Sequence, residues 1–198
     1  FVMWPMMRRE FYPDVDAGAF EMYVRAPSGT RIEKTEESIA QIEEFVKQTI
    51  PEHDLELSIS ELGVNSDWSA AYTPNAGPMD AVIKVQLAEH RGKSAQEYVH
   101  MLRTGLANDP RFHDLDFGFD AGGLIRSAMN EGKSTPINVR VTGKNPKLAR
   151  AVADRIRSRC ASIDGIVDAR IIQRLDYPEY IIDVDRAKAS NLGLTQEE

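Results

Sequence analysis

Two successive strand–helix–strand cycles constrain the fold of this chain more than any other feature. Residues 19–26, AFEMYVRA, alternate: Phe20, Met22, Val24 and Ala26 fall on one side, Glu21, Tyr23 and Arg25 on the other. That is the period of a half-buried strand. Pro27-Ser28-Gly29 breaks it, and TRIE (30–33) has the form of a capping box, with Thr30 and Glu33 placed to satisfy the first amides of a helix. Ile32, Ile39, Ile42, Phe45, Val46 and Ile50 follow at helical spacing until Pro51. Leu55, Leu57 and Ile59 alternate in a second strand, 54–61. A Gly-, Pro- and Asn-rich stretch follows, GVNSDWSAAYTPNAGPM (63–79), and then the cycle recurs. Strand 80–88 puts Ile83, Val85 and Leu87 on one face. Ser94 and Glu97 form a second capping box. Tyr98, Met101, Leu102 and Leu106 make a helix face closed by Asp109-Pro110, and Leu115, Phe117 and Phe119 alternate in strand 113–119.

Two βαβ units in sequence predict an α+β fold, the ferredoxin-like split βαβ sandwich: four antiparallel strands with two helices on one face. The opposite face, carrying Glu21, Tyr23 and Arg25, must then meet solvent, a ligand or another domain. After a linker, AGGLIRSAMNEGKSTP (121–136), a third unit begins. INVRVTG (137–143), GIVDARIIQ (165–173) and YIIDVD (180–185) read as strands. Asn145-Pro146 opens a helix striped by Leu148, Val152, Ile156 and Cys160. This is expected to be half of a second such subdomain, whose remaining strands would come from beyond residue 198 or from another chain.

Charge and composition narrow the function classes. The net charge of -7 sets a general nucleic-acid binder aside. One cysteine, Cys160, permits no internal disulfide and continues an apolar stripe. The GKS of RGKS (91–94) and of EGKS (131–134) lacks the glycine that a phosphate-binding loop requires, since Leu87 and Ser127 stand there. His53, His90, His100 and His113 show no metal-ligand spacing, and no serine sits in a G-x-S-x-G elbow. No enzyme activity and no cofactor is expected. The opening FVMWPMM is too short to span a bilayer. Read alone, it fits a cloning remnant, a buried end strand or the tail of a membrane helix, with Trp4, Arg8 and Arg9 as interface residues.

FYPDVDAGAFEMYVRAPSGTRIEKTEESIAQIE resembles the start of the second large periplasmic loop of resistance–nodulation–division (RND) efflux transporters. There a membrane helix exits into an F-x-P-x-x-D-x-G segment, a strand and a P-x-G-x-T helix start. AGGLIRSAMNEGKSTPINVRVTGKN resembles the passage between the two C-terminal porter subdomains. DYPEYIIDVDRAKASNLGLTQEE is similar to the stretch before the docking subdomain. The resemblance implies that residues 1–9 are the tail of a transmembrane helix, 10–120 the first C-terminal porter subdomain, 121–136 a linker, and 137–198 the first half of the second. It further implies a proton-driven exporter of the inner membrane with this segment in the periplasm. Its partners would be the rest of the same chain, two further copies in a homotrimer, a periplasmic adaptor protein and an outer-membrane channel. The proton-carrying residues would lie outside this chain.

By the same resemblance, the porter subdomains flank a substrate cleft. Glu21, Tyr23, Phe117 and Phe119 are expected to line it, Trp68 and Tyr72 to overhang it like the family's switch loop, and Arg170 to face it from the third unit. Met79 and Met129 fall one residue from positions where the heavy-metal branch carries methionines, and Tyr23 stands near the third. Met79 and Met129 are read as packing or cleft lining, with Met129 counted in the cleft, and no metal site is assigned, so the expected cargo is amphiphilic and organic. The alternatives are a metal-ion exporter of the same family, a free-standing ligand-binding protein of ferredoxin-like units, and a hydrolase of acylphosphatase type. The last lacks a recognisable anion-binding loop.

Overall fold

The computed structural model describes residues 16–63, 77–121, 135, 137–173 and 182–191. Strands β1 (Ala19–Arg25), β2 (Leu55–Leu62), β3 (Asp80–Leu87) and β4 (Asp116–Asp120) form one sheet in the order β2-β3-β1-β4. Every neighbouring pair is antiparallel. Each βαβ half leaves a gap that a strand of the other half fills, which is the split βαβ topology. Helices α1 (Ile32–Thr49) and α2 (Ala95–Asn108) pack on one face.

The core lies between that face and the helices. Phe20, Met22 and Val24 of β1 meet Ala81, Ile83, Val85 and Leu87 of β3 beneath Ile39, Ile42 and Val46 of α1 and Tyr98, Leu102 and Leu106 of α2. The expected capping box at Ser94 and Glu97 is present, as is the Asn145 cap. At α1 the capping box does not form. The helix starts at Ile32, and the Thr30 hydroxyl donates instead to the Pro27 carbonyl at 2.7 Å, closing the turn before the helix.

The edge strand β2 departs from simple alternation. Leu55 pairs with Leu87 and Leu57 with Gln86, so Glu56 is the extra residue of a β-bulge. A one-residue slip reverses the faces beyond it. Ser58 and Ser60 therefore turn toward the helices, where Ser60 donates to Glu43, while Leu57 and Ile59 are left 51% and 47% exposed on the other face.

One buried carboxylate joins the two halves. The Asp54 carbonyl accepts from Ala88, and its carboxylate accepts from Gly92 N–H at 2.9 Å and from the Tyr98 hydroxyl. These bonds hold the Asp54 carboxyl below its usual range. Burial first, and then the bond to Asp54, pushes the Tyr98 phenol up to about 12. The neighbouring RGKS segment is structural: Arg91 pairs with Asp16 at 2.6 Å and Ser94 caps α2.

The third unit differs from expectation. The helix α3 (Pro146–Ala161) forms where predicted, and a short α4 (Arg186–Asn191) follows. The predicted strands 137–143 and 165–173 are not strands over their described residues, nor is the described part of 180–185. A strand exists only against a neighbour that takes its amides and carbonyls, and no described segment lies beside these in a ladder. Ile137, Val139, Leu148 and Ile182 remain exposed as a result.

Because the folded-state pKa of Asp54 is depressed, its contribution is complete above the unfolded value of about 3.9 and is lost as pH falls through the folded one. Asp54→Asn is expected to lower the thermal midpoint at neutral pH, and its gap from the parent narrows as pH falls from about 5 toward 3. Thermal unfolding across that range checks this; a constant gap contradicts it.

Candidate functional site

The sheet face away from the helices is the candidate site. The parity of β1 puts Glu21, Tyr23 and Arg25 there, because Phe20, Met22 and Val24 are buried on the other side. Their cross-strand partners on that face are Lys84, Val82 and Asp80 of β3 and Asp120, Gly118 and Asp116 of β4. Tyr23 donates to Glu21 Oε2 at 2.7 Å. Burial, reinforced by the Glu21 carboxylate, raises the Tyr23 phenol well above its ordinary pKa, so it stays a neutral donor. Arg25 Nε donates to Asp80 Oδ1 at 2.8 Å.

A segment of the third unit, 166–172, lies across the β1–β4 end of this face like a strap. Arg25 Nη1 donates to the carbonyls of Ile171 and Ile172 at 3.2 and 3.1 Å. The Arg170 guanidinium sits 4.7 Å from the Tyr23 ring centroid, a cation–π contact. It occupies a notch that exists because residue 118 has no side chain: a Cβ there would overlap the Arg170 guanidinium. Burial weakens the preference of Arg170 for its charged form, and the nearby Asp168 carboxylate restores part of it. The result is an aromatic plate between an acceptor, Glu21, and a half-buried cation, Arg170.

The structure thus brings together Glu21, Tyr23 and Arg170. It does not place Phe117 and Phe119 with them, and this corrects the expectation that they face the cleft. Phe117 pairs with Val24 and Phe119 with Met22, both buried, so both rings turn to the helix side. Phe117 meets Phe112 edge-on at 6.4 Å, and the Arg103 guanidinium lies 5.0 Å from the Phe119 centroid. Trp68, Tyr72 and Met129 lie outside the described residues. Met79 is 2% exposed and packs in the interior. Among the described residues, no three His, Cys, Asp or Glu side chains gather to hold a metal ion. Sequence reasoning missed Gly118 and Asp120, which present β4 to this face, and the docking role of Arg25. The signal for Gly118 was available, since a lone glycine within a strand marks close approach of another group.

The fold is a ferredoxin-like sandwich that presents this aromatic and polar face, followed in the chain by α3 and the strap. The chain belongs to the AcrB/AcrD/AcrF family, the RND class of transporters, whose model matches residues 1–198. Two similar solved structures are crystal structures of a heavy metal efflux pump in two crystal forms. Each superposes with a TM-score of 0.77 at 24% identity, covering 98% of this chain and 19% or 20% of the pump chain. That likeness establishes the fold, and the chain spans about a fifth of the pumps' length. No curated protein matches the chain. Among the described residues, no helix is long and apolar enough to cross a membrane.

Gly118→Ala is expected to expel Arg170 from its notch while leaving the sheet intact, exposing the bond after Arg170 to trypsin. Cleavage there rises by about tenfold, the loss of a cation–π contact of ~1–2 kcal/mol. An unchanged rate, with Tyr23 and Arg170 still in contact by NMR, would contradict the notch.

Proposed function

We propose that this chain forms one wall of a cleft through which a proton-driven RND exporter takes up amphiphilic organic compounds. The observation that carries the reading is the Glu21–Tyr23–Arg170 group on the sheet face without helices. An aromatic plate flanked by an acceptor and a cation suits ligands with an apolar body and a polar end. Trp68 and Tyr72, from the segment between β2 and β3, and Met129, from the linker, complete the wall in this reading. Phe117 and Phe119 act as its packed support.

In the same reading residues 1–9 are the tail of a membrane helix, 10–120 the first porter subdomain, and 137–198 the first half of the second, joined by the linker 121–136. The whole protein sits in the inner membrane with this segment in the periplasm. It works as a homotrimer, and delivers substrate through a periplasmic adaptor to an outer-membrane channel. Family membership supports this assignment. The segment itself moves no protons and catalyses no reaction.

A second reading, metal-ion cargo, is favoured by one observation: the similar solved structures are of a heavy metal efflux pump. Soft ions such as Cu(I) call for thioether or thiolate donors. Met79, one of the two methionines that fall one residue from the heavy-metal branch's positions, is buried in the core, which supports the organic reading.

The test is export by the whole transporter in an efflux-deficient host. Tyr23→Ala and Arg170→Ala are each expected to reduce efflux of a lipophilic dye at subsaturating concentration by roughly tenfold, the loss of one anchor of ~1.4 kcal/mol. Resistance to Cu(I) or Ag(I) without dye efflux would replace the first reading by the second. Unchanged efflux in both variants at equal protein level would remove this face from the substrate path.

A further inference from the structure

Several contacts that hold the strap converge on one residue, Asp168. Its Oδ1 accepts from Arg103 Nε at 2.8 Å and its Oδ2 from Arg103 Nη2 at 2.7 Å, a two-pronged arginine–carboxylate pair. The same Oδ2 accepts the Phe119 amide at 3.1 Å. Among the described residues β4 is an edge strand that pairs with β1 alone, so its outward amides have no ladder partner there. One carboxylate therefore fastens the strap to an edge strand and to helix α2 together.

Asp168 also has φ 54°, and among the described residues it is the one non-glycine with a positive φ. Asp is among the few side chains that tolerate this region. The geometry explains the need. Arg103 stacks on Phe119, on the helix side of the sheet, whereas Arg170 lies against Tyr23 on the opposite face. In an extended segment, residues i and i+2 point the same way. The chain must kink between 168 and 170 to deliver one side chain to each face, and the left-handed residue supplies that kink.

We infer that Asp168 is a positioning residue: held by Arg103 and the β4 edge, it turns the strap so that Arg170 enters the Gly118 notch and stacks on Tyr23. The purpose Arg170 serves rests on the function proposed above. The assay contains no substrate, so the two stand or fall separately.

The experiment is amide hydrogen exchange and limited trypsinolysis on this 198-residue chain. Asp168→Asn keeps a residue that tolerates the left-handed region but removes the charge. Arg103→Gln removes the other half of the pair without touching the strap. Each variant is expected to speed exchange of the Phe119 amide and cleavage after Arg170 by about tenfold, and the double variant to add little beyond the larger single effect. Exchange at Met22 and Ile83 in the central strands stays at the parent rate, showing that the sandwich is intact. Changes within about twofold at both probes overturn the inference, as do effects that multiply in the double variant. Should Asp168→Asn not fold, Arg103→Gln decides by the same readings.

Discussion

Strand β1 lies at the centre of the structure and divides its side chains by parity. Phe20, Met22 and Val24 go to the helices, and Glu21, Tyr23 and Arg25 to the other side. Two helices can cover only one face of a four-stranded antiparallel sheet, so the second set must find other company. Here part of that company is the strap 166–172. Its arginine stacks on Tyr23, and its carbonyls take the Arg25 guanidinium. The candidate site is thus a consequence of the two-residue period of one strand, on a sheet face that no described helix covers.

The strap meets the sheet through mixed chemistry. At the β4 edge it is held by a forked ion pair and an edge amide, which are directional and local. Over the face it is held by a cation–π contact and by carbonyls on Arg25, which tolerate small shifts. The strap thus has one directional fastening at the edge and one compliant one over the face. Gly118 makes this possible, because any side chain there would fill the space Arg170 occupies.

Most of the sandwich was legible in the sequence. Clean alternation in β1 and β3, helical stripes in α1 and α2, and proline stops gave element type and order. The split βαβ order followed from two cycles in succession. What the alternation could not give was absolute facing where the period was disturbed or the run too short. Leu55, Leu57 and Ile59 read as one face, but the bulge at Glu56 turns Leu57 and Ile59 away from the face of Leu55. Phe117 and Phe119 read as cleft lining, and pairing with Val24 and Met22 places them on the helix side. Facing in a five-residue edge strand is set by its neighbour, which sequence periodicity does not contain. The strands predicted in the third unit failed for a related reason: apolar alternation reports a segment able to join a sheet, not a partner for it. Of the candidate site, Glu21, Tyr23 and Arg170 were found from parity and resemblance, while Asp168 and Arg103 gave no local pattern at all.

The central claim is that exported compounds travel along the sheet face beside Tyr23. Substrate protection of an introduced thiol tests it most directly. In the whole transporter, with Cys160 replaced by Ser, a cysteine is placed at Tyr23 or, as a control on the far edge of the same face, at Ile59. Maleimide labelling is then followed in cells with and without a lipophilic dye that the transporter exports. The account predicts that the dye slows labelling at position 23 and leaves position 59 unaffected. Equal labelling at position 23 with and without dye, in a transporter still exporting it, would contradict the account.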